Sequence, residues 1–180
     1  RQDKVPMCGI PHHALYNYVP KILKSGITAA ICEQLEDPSK VNGRIVKRGV
    51  IRILTPGTIY EEELLGADKQ ARIASIEMTG EGQWLVLSCD LSTEKISIDI
   101  CSELDLGAMI LTNNVKEILC NSIAATALLN LIPQDVRIQV INDEIAEKNE
   151  FKSLKLANSS SQEKEIKISM ARLVHYLKQV

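Results

Sequence analysis

The stretch Ala71–Ile100 reads ARIASIEMTG EGQWLVLSCD LSTEKISIDI, and its pattern decides the fold of most of the chain. Ala71–Met78, Gln83–Leu91 and Lys95–Ile100 are short runs rich in β-branched and other apolar residues, which suit a pleated, half-buried surface. Gly80-Glu81-Gly82 and Ser92-Thr93-Glu94 separate them. Connections of that length predict an antiparallel meander. Downstream, helix and strand alternate. The spacing predicts a helix over Ser102–Leu111, with Ser102 positioned to accept an orphan N–H as N-cap. A strand over Lys116–Cys120 follows, then an Ala/Leu-rich helix near Ile123–Leu131 and a strand over Asp135–Ile141. Asn142 can cap a further helix, and an amphipathic helix runs from about Gln162 to Gln179. Strand–helix–strand crossovers set strands parallel. The fold class is therefore α/β, a mixed, helix-covered sheet in the element order of ribonuclease H-like folds.

Upstream of this unit the order differs. Lys4–Gly9 is short and extended, and Pro11 suits the first turn of a helix. Leu15, Tyr18, Val19, Ile22 and Leu23 recur at helical spacing, with Gly26 as the stop. Pro20 predicts a kink or a break into two short helices. Ile27–Cys32 reads as a buried strand, Glu36–Ser39 as a turn and Arg44–Leu54 as a second strand. Alternation would put Ile45, Lys47, Gly49, Ile51 and Ile53 on one face and Arg44, Val46, Arg48, Val50 and Arg52 on the other. Between Asp37 and Glu61 stand Lys40, Arg44, Lys47, Arg48 and Arg52, and no acid. Thr55-Pro56-Gly57-Thr58 is a turn, and Glu61-Glu62-Glu63 an acidic first helical turn. Composition shifts near residues 66–71, giving domains of 1–66 and 67–180.

Composition narrows the function. Hydrophobic residues are 45% and charged residues 24% of the 180, the profile of a soluble globular protein. No apolar run approaches the roughly 18 residues of a membrane span. Arg1-Gln2-Asp3-Lys4 resembles neither an initiator nor a signal peptide, and reads as the interior of a longer chain. A net charge of −2 means that any affinity for nucleic acid must come from a local patch. Aromatic residues are only 3%, which argues against a single-strand binder built on stacking. Cys8, Cys32, Cys89, Cys101 and Cys120 are scattered, with no C-x-x-C. Reduced, mostly buried thiols are expected, and no metal site.

Met7-Cys8-Gly9-Ile10-Pro11-His12-His13-Ala14 resembles the signature P-M-A-G-[VI]-P-x-H-A of the MutS family of bacterial mismatch-recognition proteins. The match continues through Asn17-Tyr18, Lys21-Ile22, Gly26, Ala30–Gln34 and Asp37-Pro38. Lys47–Thr58 resembles the family's R-x-V-V-R-[IV]-[VL]-T-P-G-T. Past residue 70 the resemblance thins to Trp84–Thr93, Lys116–Leu119 and Ala171–Leu177. It implies part of a mixed α/β mismatch-binding domain followed by a ribonuclease H-like connector domain. Mismatched double-stranded DNA and MutL are the implied partners, in a cytoplasmic, nucleoid-associated homodimer that uses ATP and Mg in its full-length form. Several family features do not occur in this sequence: the G-x-F-Y-E wedge segment, which lies upstream in the family, the Walker A loop, the clamp and the dimerisation region. Pro20 stands where the family usually has a helix former. The stretch from Asn142 to Gln162 is short for the family. This chain itself is thus expected to need no cofactor and to leave ATP untouched.

Candidate sites follow. Clustered Lys and Arg are the minimum for meeting duplex phosphates, although a solvated strand face is the plain alternative. Lys47 matches the family's basic position, and Arg48 sits beside it. By the resemblance, the loop holding Met7 approaches the DNA near the mismatch, against simple packing as the alternative. Glu103 and Asp105 lie on helix Ser102–Leu111 away from Leu104 and Ala108, an acidic face for MutL or else only a solvated one. Cys8, His12 and His13 lack a fourth ligand at a recognisable spacing, so a structural role is expected, with His13 closing the junction into the helix. A protein-interaction module without DNA binding is one rival function, and a nuclease is the other, because active relatives of the fold hold metals with an Asp in the first strand and another ending the fourth. Here the first strand offers only Glu77, and the fourth ends in Cys120-Asn121. Asp90 reads as the cap of the Ser92-Thr93 turn. No catalytic residue is expected.

Overall fold

The computed structural model describes residues 10–40, 46–65, 70–142 and 162–180. β1 (Ala29–Gln34) and β2 (Arg48–Leu54) form an antiparallel pair. A five-stranded sheet follows, built from β3 (Arg72–Met78), β4 (Trp84–Asp90), β5 (Lys95–Cys101), β6 (Val115–Cys120) and β7 (Arg137–Val140), in the order β5-β4-β3-β6-β7. β3, β4 and β5 are antiparallel neighbours, while β6 runs parallel to β3 and β7 parallel to β6. The helices that precede β6 and β7 impose this change. α3 (Glu103–Thr112) and α4 (Ser122–Leu128) each return the chain to the start of the next strand. Both open on a polar cap: Ser102 accepts the Asp105 N–H at 3.3 Å, and Asn121 accepts that of Ala124 at 2.8 Å.

Helices cover both faces of the sheet. Leu106, Ile110, Ala124 and Leu128 of α3 and α4 pack with Ala74, Ile76, Trp84, Val86, Ile118 and Cys120. On the other face α5 (Glu163–Leu177) lays Ile166, Leu173 and Tyr176 against Ile73, Leu85, Leu87 and Leu119. The fully buried Arg172 of α5 pairs with Glu77 and donates to the Ser75 hydroxyl and the Ile76 carbonyl, each at 3.3 Å. A third cluster, Val19, Leu23, Leu54, Ile59 and Leu64, joins α1 (Leu15–Lys24), β2 and the short α2 (Glu62–Leu65). At roughly 1.5–3 kcal/mol per buried side chain, five residues are too few to hold a two-stranded sheet on their own.

Several expectations need correction. β1 begins at Ala29, later than the Ile27 expected, and runs on to Gln34; β2 starts at Arg48 rather than Arg44, with Arg44 and Ile45 outside the described residues. The strict alternation along β2 fails at Ile51. Ile31 faces Arg52 and Cys32 faces Val50, so Ile51 is an extra, bulged residue, and both Val50 and Ile51 end up exposed. Pro20 neither breaks nor divides α1. The rung it removes ends on the carbonyl of Tyr16, a residue exposed to water that can satisfy it. Gly26 stops the helix as expected, at φ +77°. β7 is shorter than expected, and the helix after Asn142 lies outside the described residues.

Candidate nucleic-acid interface and its buried anchor

Lys47 and Arg48 stand at the start of β2, where Arg48 pairs with Gln34 of β1. The Lys47 N–H donates to the Glu36 carboxylate at 3.1 Å, and its carbonyl accepts the Leu35 N–H at 2.9 Å, so the backbone here is held while both basic side chains are exposed. Among the described residues neither forms an ion pair.

The rest of the expected basic run is otherwise engaged. Lys40 lies 3.8 Å from Asp37. Arg52 pairs with Glu61, and its guanidinium sits 5.2 Å from the centre of the Tyr60 ring. Burial alone would raise the Glu61 carboxyl, but the Arg52 bond and charge together with backbone N–H donors outweigh it and hold the group below its ordinary value. The stretch is free of acids along the chain yet not in space: β1 and the turn after it set Glu33 and Glu36 beside the start of β2. Met7, Cys8 and Arg44 lie outside the described residues. His13 is exposed in a single 3-10 turn (His12–Ala14), and the residues before it that it was expected to tie to the helix lie outside the described residues.

On α3, Glu103 and Asp105 are exposed, and Asp105 accepts the Ser102 hydroxyl at 2.6 Å. The separation of faces expected there is wrong. Leu104 is 94% exposed and Ala108 is exposed too, while Leu106 and Ile110 make the buried side. The acidic residues share the solvent side with an apolar one.

The carboxylates that a nuclease would need are committed elsewhere. Glu77 is held by Arg172 and by the Asn121 amide at 3.5 Å. Asp90 receives the Ser92 N–H at 3.0 Å, the Ser92 hydroxyl at 2.6 Å and the Thr93 N–H at 3.3 Å, the turn cap expected of it. Among the described residues no three His, Cys, Asp or Glu side chains converge on a point where a metal could sit. Cys89, Cys101 and Cys120 are buried, as expected of most thiols, but Cys32 is exposed on β1.

The largest surprise is Thr55-Pro56-Gly57-Thr58, expected to be only a turn. All four residues are buried against the five-stranded sheet. The Thr55 N–H donates to the Thr58 hydroxyl at 3.1 Å, and the Thr58 N–H donates back to the Thr55 carbonyl at 3.2 Å. The Thr55 hydroxyl and the Gly57 N–H (3.2 Å) both donate to one oxygen of Glu117 on β6. The other Glu117 oxygen accepts the Tyr176 hydroxyl of α5 at 2.7 Å and lies 3.6 Å from the Arg137 guanidinium of β7. Burial, together with the neighbouring carboxylate, pushes the Tyr176 phenol up, so it stays a donor. Gly57 is obligatory: a Cβ there would lie 2.7 Å from that of Glu117 and 3.1 Å from that of Ile73. A glutamate inside the apolar run Val115–Cys120 was the available hint of this anchor.

The sequence is similar to known proteins along its length. Residues 1–63 match the family model described as MutS domain I. A DNA mismatch repair protein MutS from Geobacillus sp. (strain WCH70) is 32% identical over 179 residues, 98% of this chain and 20% of that relative. One from Fervidobacterium nodosum is 42% identical over 121 residues, 67% of this chain and 14% of the relative. One from Methanococcoides burtonii is 46% identical over 91 residues, 51% of this chain and 10% of the relative. The chain thus spans a fifth or less of these relatives' length. With identity running through both sheets and a family-model match over the region that contains the exposed basic strand, the chain belongs to the MutS family of DNA mismatch repair proteins.

Proposed function

We propose that this chain serves mismatch repair as the segment that meets duplex DNA with the basic end of β2 and relays that contact through a connector. The division is residues 1–66 for the DNA-facing domain and 67–180 for the connector. The observation that carries the reading is the pair of exposed cations, Lys47 and Arg48, at the free end of a strand whose other end is buried in the second sheet. The outer side of α3 around Glu103 and Asp105 is the proposed contact for MutL. Homodimer formation and ATP hydrolysis, which the resemblance attaches to full-length members, are proposed to reside outside these residues. No helix among the described residues is long and apolar enough to cross a membrane.

Anisotropy titrations of short duplexes with and without a mismatch, repeated across salt concentrations, test the reading. Binding is expected to be weak and to fall steeply with salt, since releasing counterions from phosphates drives it. Lys47→Glu with Arg48→Glu should abolish it. No G-x-F-Y-E occurs in the sequence, so matched and mismatched duplexes should bind alike. A tenfold preference for the mismatch, or salt-independent binding, would overturn the proposal. ATP, for which the sequence holds no G-x-x-x-x-G-K-[ST] loop, should leave the melting temperature unchanged.

A further inference from the structure

Glu117 is charged, 0% exposed and remote from the basic end of β2. A carboxylate in such a place is costly unless donors surround it. Its donors come from the Thr55–Thr58 turn and α5, and the Arg137 guanidinium of β7 pairs with it at 3.6 Å. Arg137 also donates to the Thr28 hydroxyl. Thr28 immediately precedes β1 and Thr55 immediately follows β2, while Ala29 faces Leu54 at the end of the ladder. One carboxylate and one guanidinium therefore grip both strands of the first sheet at the same end. At about 3.3 Å per residue, the seven residues of β2 put Arg48 roughly 20 Å from this grip. The first sheet thus carries exposed basic side chains at one end and is gripped at the other.

We infer that Glu117 is a positioning residue that couples displacement of the basic end of β2 to β7 and α5. The inference rests on the reading that this end meets DNA. Buried ionic networks seldom out-stabilise a well-packed apolar contact, but they fix direction. At Glu117 they fix the angle of the first sheet to the second. Two donors from the first sheet's turn share one oxygen, and Tyr176 and Arg137 share the other. Movement of the turn therefore shifts the carboxylate against α5. Gly57 leaves no room for slack.

The test is hydrogen exchange on the whole chain, wild type, Glu117→Gln and Tyr176→Phe, with and without a short DNA duplex. Without DNA, amides of Thr55–Thr58 in Glu117→Gln should exchange about tenfold faster relative to the β3–β4 ladder, the factor expected on losing a charge-assisted hydrogen bond. A uniform change over the whole sheet would overturn the clamp. With DNA, the wild type should show altered protection in α5 and β7. Glu117→Gln should bind the duplex with unchanged affinity and lose that distant response, and Tyr176→Phe should lose the α5 part alone. A response that survives both substitutions overturns the coupling. Should Glu117→Gln unfold, an unaltered α5 response in Tyr176→Phe overturns it. Should wild type not bind duplex at all, the DNA reading fails and the coupling falls with it, while the DNA-free comparison still decides whether the clamp exists.

Discussion

Asp90 shows how a single side chain sets a turn. Its carboxylate closes the β4–β5 connection with three hydrogen bonds from Ser92 and Thr93, while Glu94 takes φ 56° to complete the reversal. Burial would raise its carboxyl, but those bonds prevail and hold it below the ordinary 3.8. A depressed folded value contributes stability that is complete above the unfolded value and is lost as pH falls through the folded one. Asp90→Asn keeps a carbonyl acceptor and loses the charge, so it should cost about 1 kcal/mol at pH 7, the gap between charged and neutral hydrogen bonds. The difference should shrink as pH falls through the folded value, which lies below the ordinary 3.8. Urea unfolding of both proteins at pH 7 and in acid measures it, and a gap of equal size at both pH values would contradict the assignment. Asp90 was readable in the sequence because Asp-Leu-Ser-Thr binds locally. Glu117 was not, because its direction depends on a register shift. Arg72 faces Val115 and Ile73 faces Glu117, leaving Lys116 as the extra residue that turns Glu117 toward α5. Nothing along the chain announces that shift.

At the scale of elements, periodicity located each described strand and helix of the second sheet to within a few residues, and most firmly the central strands β3, β4 and β6, which are buried on both faces. It served less well where one side is wet. On α3 the pairing of Leu106 with Ile110 defines the buried side, and Leu104 belongs to the opposite one. Acid-counting along residues 37–61 likewise missed Glu33 and Glu36, which only strand pairing brings near. The corrected α3 surface sharpens the test of the MutL proposal. Asp105 is tied to the helix start through Ser102, and a negative charge there favours the helix N-terminus, so reversing it mixes docking with folding. Glu103 shares that first turn but has no bond to Ser102 among the described residues, so removing its charge disturbs the helix less. In a full-length MutS carrying this segment, Glu103→Gln with Leu104→Ser should weaken MutL cross-linking several-fold, leave mismatch affinity unchanged and lower the melting temperature only slightly. Unaltered cross-linking would place the docking face elsewhere, and parallel loss of mismatch binding would indicate a wider structural effect.

For the molecule as a whole, the two sheets are unequal partners. Among the described residues, the five-stranded sheet has a core on each face, whereas the first sheet has one small cluster and leans on the second through Thr55–Thr58. Separation should therefore be asymmetric. Removing the first sheet exposes Glu117 to water, which satisfies the carboxylate as well as Thr55 and Gly57 did, so no orphaned charge remains buried in the connector. Removing the second sheet strips the first of its anchor and leaves an isolated strand pair, which is marginal in water. Residues 70–180 alone should consequently unfold in one cooperative transition with coincident circular dichroism and fluorescence curves, Trp84 being the buried reporter. Residues 1–69 alone should give the spectrum of an unfolded chain. In the intact protein the first sheet should melt no later than the second. A cooperative transition in isolated residues 1–69 would show that the small cluster suffices, and that the grip on Glu117 orients a domain already stable by itself.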